Sequence, residues 1–357
     1  MVKPYPPGVF VKAGRFYRVR CEGKRRIWIG LSRVSEGLPA LYRALADLEQ
    51  QALPQDRMPA LIAAWQRDVM ERHAAKTQVD EKARCKVIAA RFVEFTADQV
   101  LAPDVAEFLL AYRDKPRTHN LYRALLRELM RYAIERGLRT DNPVSAIRTM
   151  SERARTRYVT DSELRRVKVG GIYGDDAKRT RSGLMLAALI DMAYLTGQRI
   201  GDLLALRWDR DPRAPDTPHV CAEGLRFRPA KTRGSSGASV LIEWTPRLAA
   251  LVERLRAMRA ARLLKARMSQ RVVSSHVFTT QSGTALTYSG AATAWKRAVK
   301  RSGVADVHFH DLRAKALTDK ERAEGMQAAR HMGAHSTESQ TADYVRARSG
   351  ARTKATR

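Results

Sequence analysis

Six residues in the C-terminal half of the chain, Arg199, Lys231, His310, Arg313, His335 and Tyr344, have types and intervals suited to phosphate chemistry. The first lies in Tyr194-Leu195-Thr196-Gly197-Gln198-Arg199-Ile200-Gly201-Asp202-Leu203-Leu204-Ala205-Leu206-Arg207-Trp208. The apolar stretch 184–195 predicts a helix ending at Gly197. A second helix is expected near Arg199, with Leu203, Leu204 and Leu206 on its apolar face. Arg199 then sits at a helix N-terminus, where a guanidinium and free backbone N–H groups can face one phosphate. Asp202 is placed to orient Arg199 or to support the helix start. A surface Arg paired with an Asp for solubility is the plainer reading. The length of the pattern T-G-x-R-x-x-D/E-L-x-x-L-x-W argues against it.

His310-Asp311-Leu312-Arg313 puts an imidazole and a guanidinium on one helix face, which suits a phosphate oxyanion. HxxR is weak alone and gains meaning from its neighbours. Downstream, Met332-Gly333-Ala334-His335-Ser336 is followed by Thr341 and Tyr344, with His335 nine residues and Thr341 three residues before the tyrosine. A lone Tyr is usually a half-buried aromatic; this one trails two His motifs near a basic C-terminus. Residues 225–229 and 238–243 read as two strands of a hairpin whose loop holds Lys231. A loop of that kind can carry an ammonium onto a phosphate.

Three regions must position these groups. Residues 1–54 open with alternating apolar residues (Val9 and Val11; Phe16, Tyr17 and Val19; Ile27, Trp28 and Ile29), separated by Gly14 and Gly23. They predict three antiparallel strands followed by a helix over 39–48. Arg15, Arg18, Arg20, Lys24, Arg25 and Arg26 make these strands basic enough to lie in a DNA groove, although a solvated basic face would look the same. Pro54 and Pro59 bracket an expected linker. Residues 55–150 read as helices over 60–72, 80–94, 103–112 and 118–136, with Trp65, Phe92, Phe95 and Phe108 as core. A polar Arg-rich stretch, 149–157, precedes Thr160-Asp161-Ser162-Glu163, a capping box. Residues 155–357 mix helices with a strand-rich patch over 219–244. The fold class is therefore mostly α with small β elements (α+β).

Lys and Arg number 66 against 37 Asp and Glu, a net charge of +29 and a pI near 10.7. A polyanion relieves such self-repulsion, and phosphate contacts release counterions, so nucleic acid is the expected partner. The cysteines Cys21, Cys85 and Cys221 have no metal spacing and fit a reducing compartment. No apolar run reaches the ~18–20 residues of a membrane span, and the start has no secretory pattern, so a cytoplasmic protein with no membrane partner is expected.

In order, Arg199, Lys231, His310, Arg313, His335 and Tyr344 resemble the catalytic set of the tyrosine site-specific recombinases, in particular the lambda-like phage integrases. The strands ending in Trp28-Ile29-Gly30-Leu31-Ser32 resemble the arm-type DNA-binding domain of that family, and the helical middle its core-binding domain. One departure stands out: the family reads Leu-Gly-His, and here Ala334 intervenes. The role falls to His335 rather than His331 because the interval to Tyr344 is kept; His308 has the wrong spacing for the upstream motif. The resemblance implies integration and excision of DNA in a bacterial host, with Tyr344 as nucleophile. Arg199 and Arg313 would hold the phosphate, His310 would take the tyrosine proton, His335 would bond the phosphate, and Lys231 would protonate the leaving oxygen. Neither metal, ATP nor another cofactor is implied. A C-shaped clamp on double-stranded attachment sites, a homo-tetramer, a DNA-bending protein and an excisionase follow as expectations. The tail after Tyr344 docks on a neighbouring protomer or is disordered. The competing readings are a type IB topoisomerase, a non-catalytic DNA-binding protein and a helical RNA-binding protein.

Overall fold

The computed structural model describes residues 5–22, 25–52, 57–153, 155–229, 239–268 and 273–345; at 20–22, 25–27, 49–52, 265 and 267–268 it describes the backbone alone. The chain forms two compact units, Met1–Arg153 and Ala154–Arg357.

In the first unit, β1 (Val9–Lys12), β2 (Arg15–Glu22) and β3 (Arg25–Arg33) form an antiparallel sheet in sequence order. Alternation gives the sheet two unlike faces. Val9, Phe16 and Leu31 are buried with Leu41 and Leu45 of α1 (Gly37–Ala52). On the other face, Phe10 pairs with Tyr17 and Val19 with Trp28. The Trp28 ring lies 5.8 Å from Phe10 and 6.0 Å from Tyr17, with the Lys12 ammonium 5.7 Å away. Trp28 is 46% exposed.

Four helices follow: α2 (Met58–Asp68), α3 (Ala75–Arg91), α4 (Ala102–Leu110) and α5 (Pro116–Glu135). Trp65, Phe92 and Phe108 are buried in their common core and Phe95 packs against it, as expected. Pro54 and Pro59 bracket the expected linker. Pro59 lies in the first turn of α2, where a missing N–H has no helical partner to lose; Pro54 lies outside the described residues. Helix α3 begins earlier than its apolar pattern, because its first turns are exposed and carry no burial period.

The second unit begins with α6 (Asp161–Ile172), α7 (Gly183–Thr196) and α8 (Ile200–Leu204). Thr160 and Glu163 close the expected capping box on α6: the hydroxyl accepts the Glu163 N–H, and the carboxylate accepts the Thr160 N–H. Apolar on nearly all sides, α7 is the buried spine of the largest core. The sheet of β4 (His219–Cys221), β5 (Gly224–Phe227) and β6 (Val240–Glu243) is antiparallel, with Leu225 opposite Ile242 and Phe227 opposite Val240. The expected hairpin is thus β5 and β6; its loop, including Lys231, lies outside the described residues. Then come α9 (Pro246–Met268), α10 (Tyr288–Ser302), α11 (Asp311–Glu324), α12 (Met326–Gly333) and α13 (Glu338–Ala342). The fold is α+β, dominated by helices. Among the described residues, no helix is long and apolar enough to cross a membrane.

Candidate active site

Two helix ends converge on one guanidinium. Helix α7 stops at Gly197, which takes the left-handed conformation at φ 64°. The last carbonyls of a helix have no partner within it. Arg313, in the first turn of α11 and only 2% exposed, supplies one. Its Nη1 donates to the Gly197 carbonyl at 2.6 Å, and its Nη2 donates to the carbonyl of Gly333, the last residue of α12, at 2.7 Å. Gln198 ties the same two ends together, its Nε2 donating to Thr196 O at 3.0 Å and Met332 O at 2.7 Å.

His335 completes the cage. Its Nε2 lies 2.7 Å from Arg313 Nη2 and its Nδ1 3.0 Å from the Thr341 hydroxyl. A guanidinium can only donate, so Nε2 accepts and Nδ1 carries the proton, which it gives to Thr341. The resemblance gives His335 to the phosphate; in the structure its Nε2 is engaged by Arg313. Burial, then the charges of Arg313 and Arg199, push the His335 pKa down to about 4, so the ring is neutral at neutral pH. Burial first, then Arg199, lowers the Arg313 pKa as well, while Tyr344 acts to raise it.

The inserted Ala334 has a structural account. It adopts φ 49°, ψ 46° and caps α12 in the left-handed conformation, a position usually given to glycine. Gly333 is kept for a different reason. A Cβ there would lie 2.9 Å from two atoms of the His335 ring. In this chain, turning the backbone and leaving room for the imidazole are duties of two adjacent residues.

Tyr344 follows α13, which Thr337 caps by accepting the Gln340 N–H. Its half-buried ring lies 5.1 Å from that of His335, 5.4 Å from that of His310 and 5.1 Å from the Arg313 guanidinium carbon. His310 precedes α11 and is exposed. Arg199 is the N-cap of α8, with extended backbone and its carbonyl accepting the Asp202 and Leu203 N–H groups. Its Nη1 is buried without a hydrogen-bond partner, and so is Arg313 Nε. Buried guanidinium donors left unmet are costly, and an oxyanion satisfies them. Asp202 is buried in the first turn of α8. The structure thus gathers Arg313, His310, His335 and Tyr344, with Arg199 close enough to act on the first and third through its charge.

Of the basic residues expected to face DNA, Arg15 donates to Leu31 O at 3.3 Å and Arg18 to Pro7 O at 2.7 Å. Arg20, Arg25 and Arg26 are described in backbone only, within β2 and β3, and Lys24 is outside the described residues. Sequence reasoning missed two groups on or near α11. Lys315, 1% exposed, bonds Asp161 at 2.8 Å, Asp319 at 2.9 Å and the Tyr158 hydroxyl at 3.1 Å. Arg155 bonds Asp311 through two nitrogens. No local pattern announces pairs so far apart in sequence; a run of Lys-x-x-x-Asp on α11 was the one visible sign.

The phage integrase family profile matches residues 174–350. The integrase of Enterobacteria phage 434 is 32% identical over 136 residues, 37% of this chain and 36% of that protein. The aligned part thus spans about a third of the length of that curated relative. In fold, the chain resembles a lambda integrase dimer bound to a COC′ core site, with a TM-score of 0.67 and 17% identity over 100% of this chain and 99% of that one. It resembles equally a lambda integrase tetramer bound to a Holliday junction, at 0.67 and 18% over 99% of both chains. With the arginine cage, the paired histidines and the late tyrosine in one place, the chain belongs to the phage integrase family of tyrosine recombinases.

Proposed function

We propose that this protein cuts and rejoins double-stranded DNA at attachment sites, integrating and excising a mobile genome through a 3′-phosphotyrosyl intermediate on Tyr344. The observation that carries the reading is the Tyr344 ring framed by His310, His335 and Arg313, beside two guanidiniums whose Arg199 Nη1 and Arg313 Nε lack partners. A free tyrosine has a pKa near ~10 and needs assistance as a nucleophile. His310 takes the phenolic proton. The phenolic oxygen attacks phosphorus, and the bond from phosphorus to the 5′ oxygen breaks. Arg199 and Arg313 bind the non-bridging oxygens where charge builds. Lys231 gives the leaving 5′ oxygen its proton. His335 and Asp202 hold the two arginines in place. A 5′-hydroxyl from a partner duplex then attacks the phosphotyrosine and restores the phosphodiester, so bond energy is conserved and no ATP enters.

Residues 1–54 serve as the arm-type DNA-binding domain, using the sheet face of Phe10, Lys12, Arg15, Tyr17 and Trp28 with Arg18, Arg20, Lys24, Arg25 and Arg26 around it. Residues 55–150 bind the core site and 155–357 cleave it. Four copies assemble on two sites in the bacterial cytoplasm, at the nucleoid, with a DNA-bending protein and an excisionase as accessory partners.

The test is a covalent trap. The protein is incubated with nicked suicide duplexes randomised across the core, adducts are isolated on a denaturing gel, and the captured duplexes are sequenced. An adduct that disappears in Tyr344→Phe and persists in Tyr288→Phe is expected. An adduct retained by Tyr344→Phe refutes the nucleophile. Relaxation of plasmids that lack the captured sequence would instead mark a topoisomerase.

A further inference from the structure

Helix α11 begins directly after His310 and carries Arg313, so its first turn sets two groups of the proposed site at once. Asp311 anchors that turn. The residue is 3% exposed, and one carboxylate oxygen accepts the His308 N–H at 2.8 Å. Arg155 adds a two-pronged grip, its Nε and Nη2 donating to the two carboxylate oxygens at 2.9 Å each. The same guanidinium reaches the turn before the helix, with Nη1 donating to Asp306 Oδ1 at 2.8 Å and Nη2 to Asp306 O at 2.6 Å. Asp306 is held at φ 48°, a conformation that needs such support. Arg157 adds a bond to the same carbonyl at 3.3 Å. Arg155 is the second residue of its unit in sequence. One side chain at the chain's entry thus pins both the turn leading into α11 and the helix's first residue, and the cleavage step has no use for it.

We propose that Arg155 is a positioning residue: through Asp311 and the 306–308 turn it holds His310 and Arg313 in register with Tyr344. This rests on the recombinase reading of the site. Only a planar fork matches both carboxylate oxygens, so lysine is a poor replacement. Misplacement by ~1 Å can cost on the order of a hundredfold in rate, and that is the scale of the expected loss.

The experiment compares wild type, Arg155→Ala, Arg155→Lys, Asp311→Asn and the double variant Arg155→Ala/Asp311→Asn. Each is mixed in excess with the duplex captured by the covalent trap. Affinity is read by gel shift, and adduct formation is read as a rate constant and an amplitude. Misfolded protein lowers amplitude; misplaced groups lower the rate constant. Arg155→Ala is expected to cut the rate constant by about a hundredfold at unchanged affinity, with Arg155→Lys recovering only part. The double variant is expected to be no slower than Arg155→Ala, since the two act as one unit. A wild-type rate constant in Arg155→Ala, with only amplitude reduced, overturns the proposal while the recombinase reading stands. Additive losses in the double variant overturn it too. Failure of wild type to form any adduct overturns the reading and this inference together.

Discussion

The His335 and Tyr344 rings lie nearly parallel, with centroids 5.1 Å and planes 24° apart. Because the imidazole is also fixed at both nitrogens, by Arg313 and Thr341, the phenol rests on a ring that cannot turn.

Thr341→Val removes the acceptor of the Nδ1 proton in a fully buried place. A buried donor left unmet costs roughly 1–3 kcal/mol. Thermal unfolding should show that loss, and covalent-adduct formation should slow as the imidazole gains freedom. Thr341→Ser keeps the hydroxyl and should restore most of both.

His335 makes stability depend on acidity in a definite direction. Its pKa falls from an unfolded value near ~6.5 to about 4 in the native protein, so the unfolded chain binds the proton more readily. The stabilising contribution is complete above ~6.5 and is lost as pH falls through about 4. Linkage sets its size at up to ~3 kcal/mol. Urea titrations between these pH values should slope this way for wild type and flatten in His335→Asn; an equal slope in both would dismiss the argument.

The adjacent residues at the end of α12 should respond oppositely to one-carbon changes. Gly333→Ala forces a methyl group onto the His335 ring and should destabilise by ~1–3 kcal/mol, with cleavage impaired. Ala334→Gly relieves a left-handed alanine and should leave stability unchanged or raise it by up to ~1 kcal/mol, with cleavage intact. Melting temperatures of the two variants, moving in the same direction, would contradict the division of duties.

The two site arginines should also part company. On the sequence alone, both alanine variants are expected to lose the adduct with binding largely intact. The structure makes Arg313 a support of the fold as well, since it bonds two helix ends and His335. Arg313→Ala should cost about 3–5 kcal/mol in chemical denaturation. Arg199→Ala, which removes a donor with no protein partner, should stay within ~0.5 kcal/mol of wild type while losing cleavage.

Lys315 gives a contrast of another kind. The Asp319 carboxylate also accepts the Tyr158 and Tyr194 hydroxyls, at 2.6 and 3.0 Å. It keeps partners when the ammonium is removed. Lys315→Met, which fills the same space, should cost ~1–2 kcal/mol, and Lys315→Ala, which opens a cavity, ~3–4 kcal/mol. Equal losses would mean that charge alone matters there.

What could be read from the residues was mostly what lies close together along the chain. The stop at Gly197, the cap at Thr160, the alternation of Val9 with Phe16 and the helical core around Trp65 are local patterns, and the structure carries them. The motif residues His310, Arg313, His335 and Tyr344 are brought together around the Tyr344 ring. Less legible were contacts set by tertiary packing. Nothing beside Arg155 points to Asp311, 156 positions away. Nothing near His335 tells that its outer nitrogen is already engaged. Ala334 looked like a disturbance because spacing records how many residues intervene, not which conformation each adopts.

Arg199 Nη1 and Arg313 Nε are buried with no hydrogen-bond partner among the described residues. Small tetrahedral anions offer what those nitrogens lack. Solutions rich in sulfate or inorganic phosphate should therefore toughen this protein against heat, by occupancy, and slow formation of the covalent adduct for the same reason. The choice of buffer becomes a variable of the chemistry rather than a background to it.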